Sequence, residues 1–151
     1  MFLFSSGGQN TASDPQTPNA LTVDVEDYYQ VSAFEDQIDR RHWADYPSRV
    51  KENTERLLSI FRRRQVRATF LVLGWVAQHW PDLVRRIRDE GHELGAHGFW
   101  HQRIYRQSPD GFRDDLRRTR DLLAYLAGQA IRCYRAPSFS ITPASWWALE
   151  I

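Results

Sequence analysis

Apolar residues along the chain alternate between two rhythms, short continuous runs and longer stretches spaced three and four apart. The first run, "ALTVDV" at 20–25, is rich in β-branched residues and ends in acidic ones, which predicts a buried strand. A polar and aromatic stretch over 26–47 follows, too long for a simple turn and expected to shape a surface. Ser48 then reads as the cap of a helix to about Arg64, with Val50, Leu57, Leu58 and Phe61 on one stripe. "VRATFLVLG" at 66–74 predicts a second strand, closed by Gly74. In "WPDLVRRIRDEG", Pro81 sits near a first helical position, Leu83, Val84 and Ile87 share a face, and Gly91 falls just past the end.

A short third strand, "HELGAH" at 92–97, delivers a histidine at its carboxyl end. Ser108 and Pro109 open the next helix, where Phe112, Leu116, Leu123 and Leu126 recur at helical spacing until Gly128. "IRCYRAP" at 131–137 predicts a fourth strand stopped by Pro137, and "TPASWWALEI" starts a helix with Thr142 as its cap. Strand and helix alternate with connections too long for hairpins, which predicts an α/β fold with a parallel sheet and crossover helices. In such folds polar chemistry gathers at the carboxyl ends of the strands.

A length of 151 residues fits one domain, and 42% hydrophobic with 26% charged residues is the balance of a globular chain. Residues 1–19, rich in Ser, Gly, Asn, Gln and Pro beyond a short apolar opening, read as a disordered leader, leaving 20–151 to fold. That opening lacks a basic region and a sustained apolar core, so it does not read as a secretory signal. The default expectation is a cytoplasmic protein, with association at the cell envelope left open. No run reaches the ~18 apolar residues of a membrane span. The formal charge of +1 supplies no global field for nucleic acid, so no nucleic-acid partner is expected. Cys133 is the only cysteine and excludes a disulfide scaffold.

The candidate chemistry lies at three strand ends. Strand one ends in "DVED", strand three in "HGFWH" and strand four in "RAPSF". On a helix, or a helical turn after a strand, His97 and His101 share a face and can reach a single ion. Taken alone, two histidines four apart are a weak sign. A carboxylate beside them completes three protein ligands with an open position, the pattern of a catalytic zinc site. Asp24 and Glu26 are two apart on a strand and project to one face, while Asp27 turns with the loop. Two such carboxylates divide the work, one binding metal and one taking a proton from metal-bound water. Arg135 can hold a carboxylate in place.

Together "ALTVDVEDYY", "ELGAHGFWHQR" and "YRAPSFSIT" resemble the polysaccharide deacetylase family, the NodB homology domain, over roughly residues 20–151. The wording of "VDVEDY" and "YRAPSFS" is similar to the branch associated with bacterial exopolysaccharide production. The resemblance implies a deformed (β/α) barrel and a divalent metal, often zinc, that activates water to remove an N-acetyl group from an amino sugar. The implied partner is an N-acetylated polysaccharide or oligosaccharide. By position Asp24 matches the catalytic base, His97 and His101 the metal histidines, and Arg135 the arginine that orients the base. Pro137 and Phe139 would line the substrate groove, and Tyr28 and Trp100 are further aromatic candidates for stacking on sugar rings.

Two departures stand out. The family's adjacent aspartates are broken by Val25, so the carboxylate ligand is Glu26 or Asp27, with strand alternation favouring Glu26. Gly98 replaces the usual Ser or Thr after the first histidine. The family also continues with a later Asp motif and a late histidine acting as general acid, and neither has room here, so the barrel is expected to be incomplete at the C-terminus. The rival expectations are a carbohydrate-binding remnant without catalysis and a hydrolase of another non-peptide C–N bond.

Overall fold

The computed structural model describes residues 19–151. The expected leader, 1–19, lies outside the described residues apart from Asn19. Three parallel strands form the sheet: β1 (Thr22–Val25), β2 (Thr69–Val72) and β3 (Glu93–Ala96), in that spatial order. Their register aligns Asp24 with Leu71 and Leu71 with Gly95, and Val25 with Val72 and Val72 with Ala96. Because side chains alternate along a strand, this register sorts the sheet into two unlike faces. Val25, Phe70, Val72, Leu94 and Ala96 belong to one buried cluster together with Leu58, Val76, Val84, Ile87 and Leu123 from the helices. Thr22, Asp24, Leu71 and Gly95 alternate with those strand residues and so lie on the opposite face.

Among the described residues there are four α-helices, α1 (Val50–Arg64), α2 (Gly74–His79), α3 (Pro81–Asp89) and α4 (Pro109–Ala127), of which α1, α3 and α4 follow the predicted rhythm. Pro81 opens α3, Ser108 caps α4 by accepting the Gly111 N–H, and α4 ends at Gly128 in the left-handed region. The sequence rhythm conceals α2, where Gly74 starts a short helix as well as closing a strand. The 26–47 stretch is built from short 3-10 turns at 28–30, 32–34 and 40–45.

Three expectations are corrected. Ser48 does not cap α1, whose N-cap position is Arg49 without a side-chain cap bond. The cap comes from a distance, because Asp27 accepts from the N–H groups of Arg49 and Val50 as well as from the Ser48 hydroxyl. The fourth strand shrinks to a single parallel bridge between Ala96 and Tyr134. The bridge is made by two bonds, the Ala96 N–H to the Cys133 carbonyl and the Arg135 N–H to the Ala96 carbonyl, while on the other side of β3 the His97 N–H continues the ladder to Val72. Finally, the segment after Thr142 is a kinked 3-10 helix over Pro143–Glu150.

Candidate metal centre

β1, the end of β3 and the strip after Tyr134 bring their polar residues to one place. At the end of β1 the two-residue alternation carries Asp24 and Glu26 to the same side, as expected. At the end of β3 the chain leaves the sheet as a loop, and here the helical rationale for the histidine pair is corrected. Gly98 and His101 both adopt positive φ, 76° and 50°, and no helix spans them. Backbone anchors set the pair: Gly74 and Trp75 N–H at the start of α2 donate to the Gly98 and Phe99 carbonyls, and Arg40 Nε donates to the Trp100 carbonyl. The imidazoles of His97 and His101 end with ring centres 5.2 Å apart, and both side chains are almost fully buried.

Glu26 Oε2 lies 2.9 Å from His101 Nε2 and 3.8 Å from His97 Nε2. One ligand atom from each of Glu26, His97 and His101 falls within 4.8 Å of the others. Atoms held at ~2.0–2.1 Å by one tetrahedral cation lie about 3.4 Å from each other, so the observed separations bracket that spacing. The chemistry of the donors fits too. His97 Nδ1 is 2.8 Å from the Arg135 carbonyl, which only accepts, so Nδ1 carries the proton and Nε2 presents its lone pair inward. Burial pushes the His97 pKa down, against the pull of Glu26 and Asp24, and favours the neutral form that ligates metal. Glu26 Oε2 is buried and, beyond its 2.9 Å approach to His101 Nε2, has no hydrogen-bond partner among the described residues. A lone pair facing a buried carboxylate oxygen asks for a cation between them.

Asp24 stands at the rim of this cluster. Its Oδ1 accepts from Arg135 Nη1 at 2.6 Å, while Oδ2 faces His97 Nε2 at 3.9 Å. Arg135 also donates to the Thr22 hydroxyl at 2.6 Å, so one guanidinium grips two residues of one β1 face. Asp27 does not join them. It is 2% exposed and its carboxylate is consumed by Ser48, Arg49 and Val50, so of the two carboxylates considered as ligand only Glu26 faces the histidines.

The residues expected to meet sugar divide. Tyr28 is 39% exposed, lies under the Arg49 guanidinium, and lines a cavity of about 220 Å³ with Asp24 and Glu26. Phe139 is 83% exposed at a φ of 51° and lines a hollow with Arg135, whereas Pro137 is buried. Trp100 packs onto the core against Trp43, and its open surface borders a different cavity, lined by Arg106, Asp115 and Arg118 and by none of the three converging residues.

Sequence reasoning missed residues that support the site. Ser32 approaches His101 Nδ1 at 3.5 Å and accepts a 2.7 Å bond from Ser138. Asp115 accepts the Phe99 N–H at 2.8 Å. Asp115 left a readable sign, an acidic residue between Phe112 and Thr119 on the buried stripe of α4. The serines left none.

The family model described as "Polysaccharide deacetylase" matches residues 31–150. The match begins after β1, so the reading of Asp24 and Glu26 rests on their geometry. A Bacillus cereus peptidoglycan-N-acetylglucosamine deacetylase is 35% identical over 86 residues, 57% of this chain and 31% of that protein. The Bacillus subtilis peptidoglycan-N-acetylmuramic acid deacetylase PdaA is 29% identical over 84 residues, 56% of this chain and 32% of its own length. The chain thus spans about a third of the length of these relatives. Among solved structures, the Bc1960 peptidoglycan N-acetylglucosamine deacetylase superposes with a TM-score of 0.66 at 29% identity, over 87% of this chain and 51% of that one. A CE4 family pseudoenzyme from Bacillus anthracis shares the fold at a TM-score of 0.65 and 22% identity, over 87% of this chain and 39% of that one. The parallel sheet and its helices are part of the α/β fold of these proteins.

Proposed function

Because the chain belongs to the polysaccharide deacetylase family, we propose that it supplies the metal-binding and proton-accepting part of a hydrolase that removes N-acetyl groups from an amino-sugar polymer. The observation that carries this reading is the convergence of Glu26, His97 and His101 beside an Asp24 held by Arg135. Glu26 through Oε2 and the two histidines through Nε2 would hold a divalent cation, and two nitrogens with one oxygen suit zinc. Such an ion supplies Lewis-acid polarisation of the amide carbonyl and a lowered pKa for water.

The rest is the work of this chain's residues. With Oδ1 engaged by Arg135, Asp24 leaves Oδ2 turned toward the cluster as the acceptor for a proton from the attacking water. Arg135 prevents that carboxylate from rotating. Tyr28 borders the cavity beside Asp24 and Glu26, and Phe139 is exposed beside Arg135; both offer flat apolar surface to a pyranose ring.

The finer reading is an exopolysaccharide substrate, supported by the wording of "VDVEDY" and "YRAPSFS"; the relatives above are named for peptidoglycan. The test is metal content by elemental analysis of the purified chain and of the double variant His97→Ala, His101→Ala, with acetate release measured on poly-N-acetylglucosamine and on peptidoglycan. Near-stoichiometric metal lost in the variant, with acetate released from the first polymer, is the expected result. Metal without acetate from either polymer would make the chain a binding remnant, and a folded chain without metal would end the reading.

A further inference from the structure

The two histidines are separated by Gly98, Phe99 and Trp100, and this bridge has no helical hydrogen bonds of its own to fix its shape. Three outside groups fix it instead. The start of α2 and Arg40 hold its carbonyls, leaving its N–H groups to be answered from elsewhere. Asp115 Oδ2 answers the Phe99 N–H at 2.8 Å. The same oxygen stands 3.1 Å from where a side chain on Gly98 would begin, so the carboxylate fills the space beside the left-handed residue that follows His97. Arg118, one turn along α4, lies 3.4 Å over the Phe99 ring and closes the bridge from the same side.

We propose that Asp115 is a positioning residue for the metal centre: it acts through the Phe99 N–H to hold the left-handed turn that aims His97 and His101 at a common point. The inference rests on the metal reading given above. Placing an acidic group on the apolar stripe of α4 is costly, and burial indeed pushes the Asp115 pKa up, so an ordinary packing role would have been served better by an apolar residue. A carboxylate is the side chain that can accept from a buried backbone N–H without bringing a donor that needs its own partner. Groups that orient metal ligands typically change affinity 10- to 100-fold when removed. Asp115 acts one bond further out, so the low end, about tenfold, is expected.

The experiment uses the 151-residue chain, its Asp115→Ala and Asp115→Asn variants, and Co2+ alone as the probe. Co2+ affinity is read from its visible absorption, Phe99 from amide exchange, and the two imidazoles from their nitrogen chemical shifts without metal. The expected pattern is about tenfold weaker Co2+ binding and faster Phe99 exchange in Asp115→Ala. Asp115→Asn, which keeps an acceptor oxygen, should return both toward wild type. Faster Phe99 exchange with unchanged Co2+ affinity would overturn the proposal, since the turn would then be held without consequence for the ligands. If the wild type itself binds no Co2+, the metal reading falls, and Asp115 is judged on the imidazoles: shifts that move in Asp115→Ala support positioning, and unmoved shifts overturn it.

Discussion

Arg135 Nη1 meets Asp24 Oδ1 at 2.6 Å although the two residues are 111 apart in sequence and lie at opposite flanks of the sheet. The contact turns a flexible rim carboxylate into an oriented one. Replacing Arg135 by Met should keep metal content near wild type and lower acetate release about 100-fold, the scale of a misplaced reacting group. Parallel assays of metal and acetate on the same preparations check it. Equal loss of both would mean that Arg135 acts on the fold and not on Asp24.

Asp27 and Glu26 are neighbours with opposite tasks, and substitution should separate them. Asp27→Ala strips the acceptor from the first turn of α1 and leaves buried N–H groups unanswered, costing about 3 kcal/mol. Urea unfolding should show that loss while the folded fraction still binds metal. Glu26→Gln should behave in reverse, with near wild-type stability and metal occupancy sharply reduced.

Gly74 lies against the metal loop so closely that a Cβ there would sit 2.5 Å from the Phe99 ring and 3.0 Å from its Cα. Part of that obstacle is backbone, which cannot step aside. Gly74→Ala would ordinarily favour a helix. Here overpacking of about 1–3 kcal/mol should win. A lowered melting temperature together with weaker metal binding is expected, because the displaced segment is the one that joins the histidines. A more stable variant with unchanged metal affinity would contradict this.

His92 should make stability depend on pH. Its ring packs beside Phe61 and Phe70, and Nδ1 accepts the Ala68 N–H at 3.2 Å, which requires the neutral form. Burial lowers its pKa, with Glu90 opposing and Arg67 assisting. A histidine depressed in the folded state binds its proton more readily once unfolded. The contribution is therefore complete above the unfolded pKa of about 6.5 and is lost as pH falls toward the folded value. Chemical denaturation at pH 7.5 and at pH 5 should show a decline in wild type that is smaller in His92→Asn.

Much of the fold could be read from the chain because its signals are local. The β-branched runs, Pro81 and Pro109 at helix starts, and Gly128 at a helix end each act within a turn or two of their own position. The two-residue alternation that carries Asp24 and Glu26 to one side is equally local, and by itself it favours Glu26 over Asp27. What local signals could not carry was decided in three dimensions. Asp27 became the distant cap of α1 because its loop passes over that helix start. The fourth strand was cut to one bridge, Ala96 with Tyr134, which no local signal in its β-branched and aromatic run foretells. The histidine pair pointed to a metal through its spacing, yet its convergence comes from left-handed turns at Gly98 and His101, gripped by α2, Arg40 and Asp115. Spacing along a chain reports which residues can meet on a regular element. Off such an element, only the tertiary contacts that hold the backbone determine where side chains point.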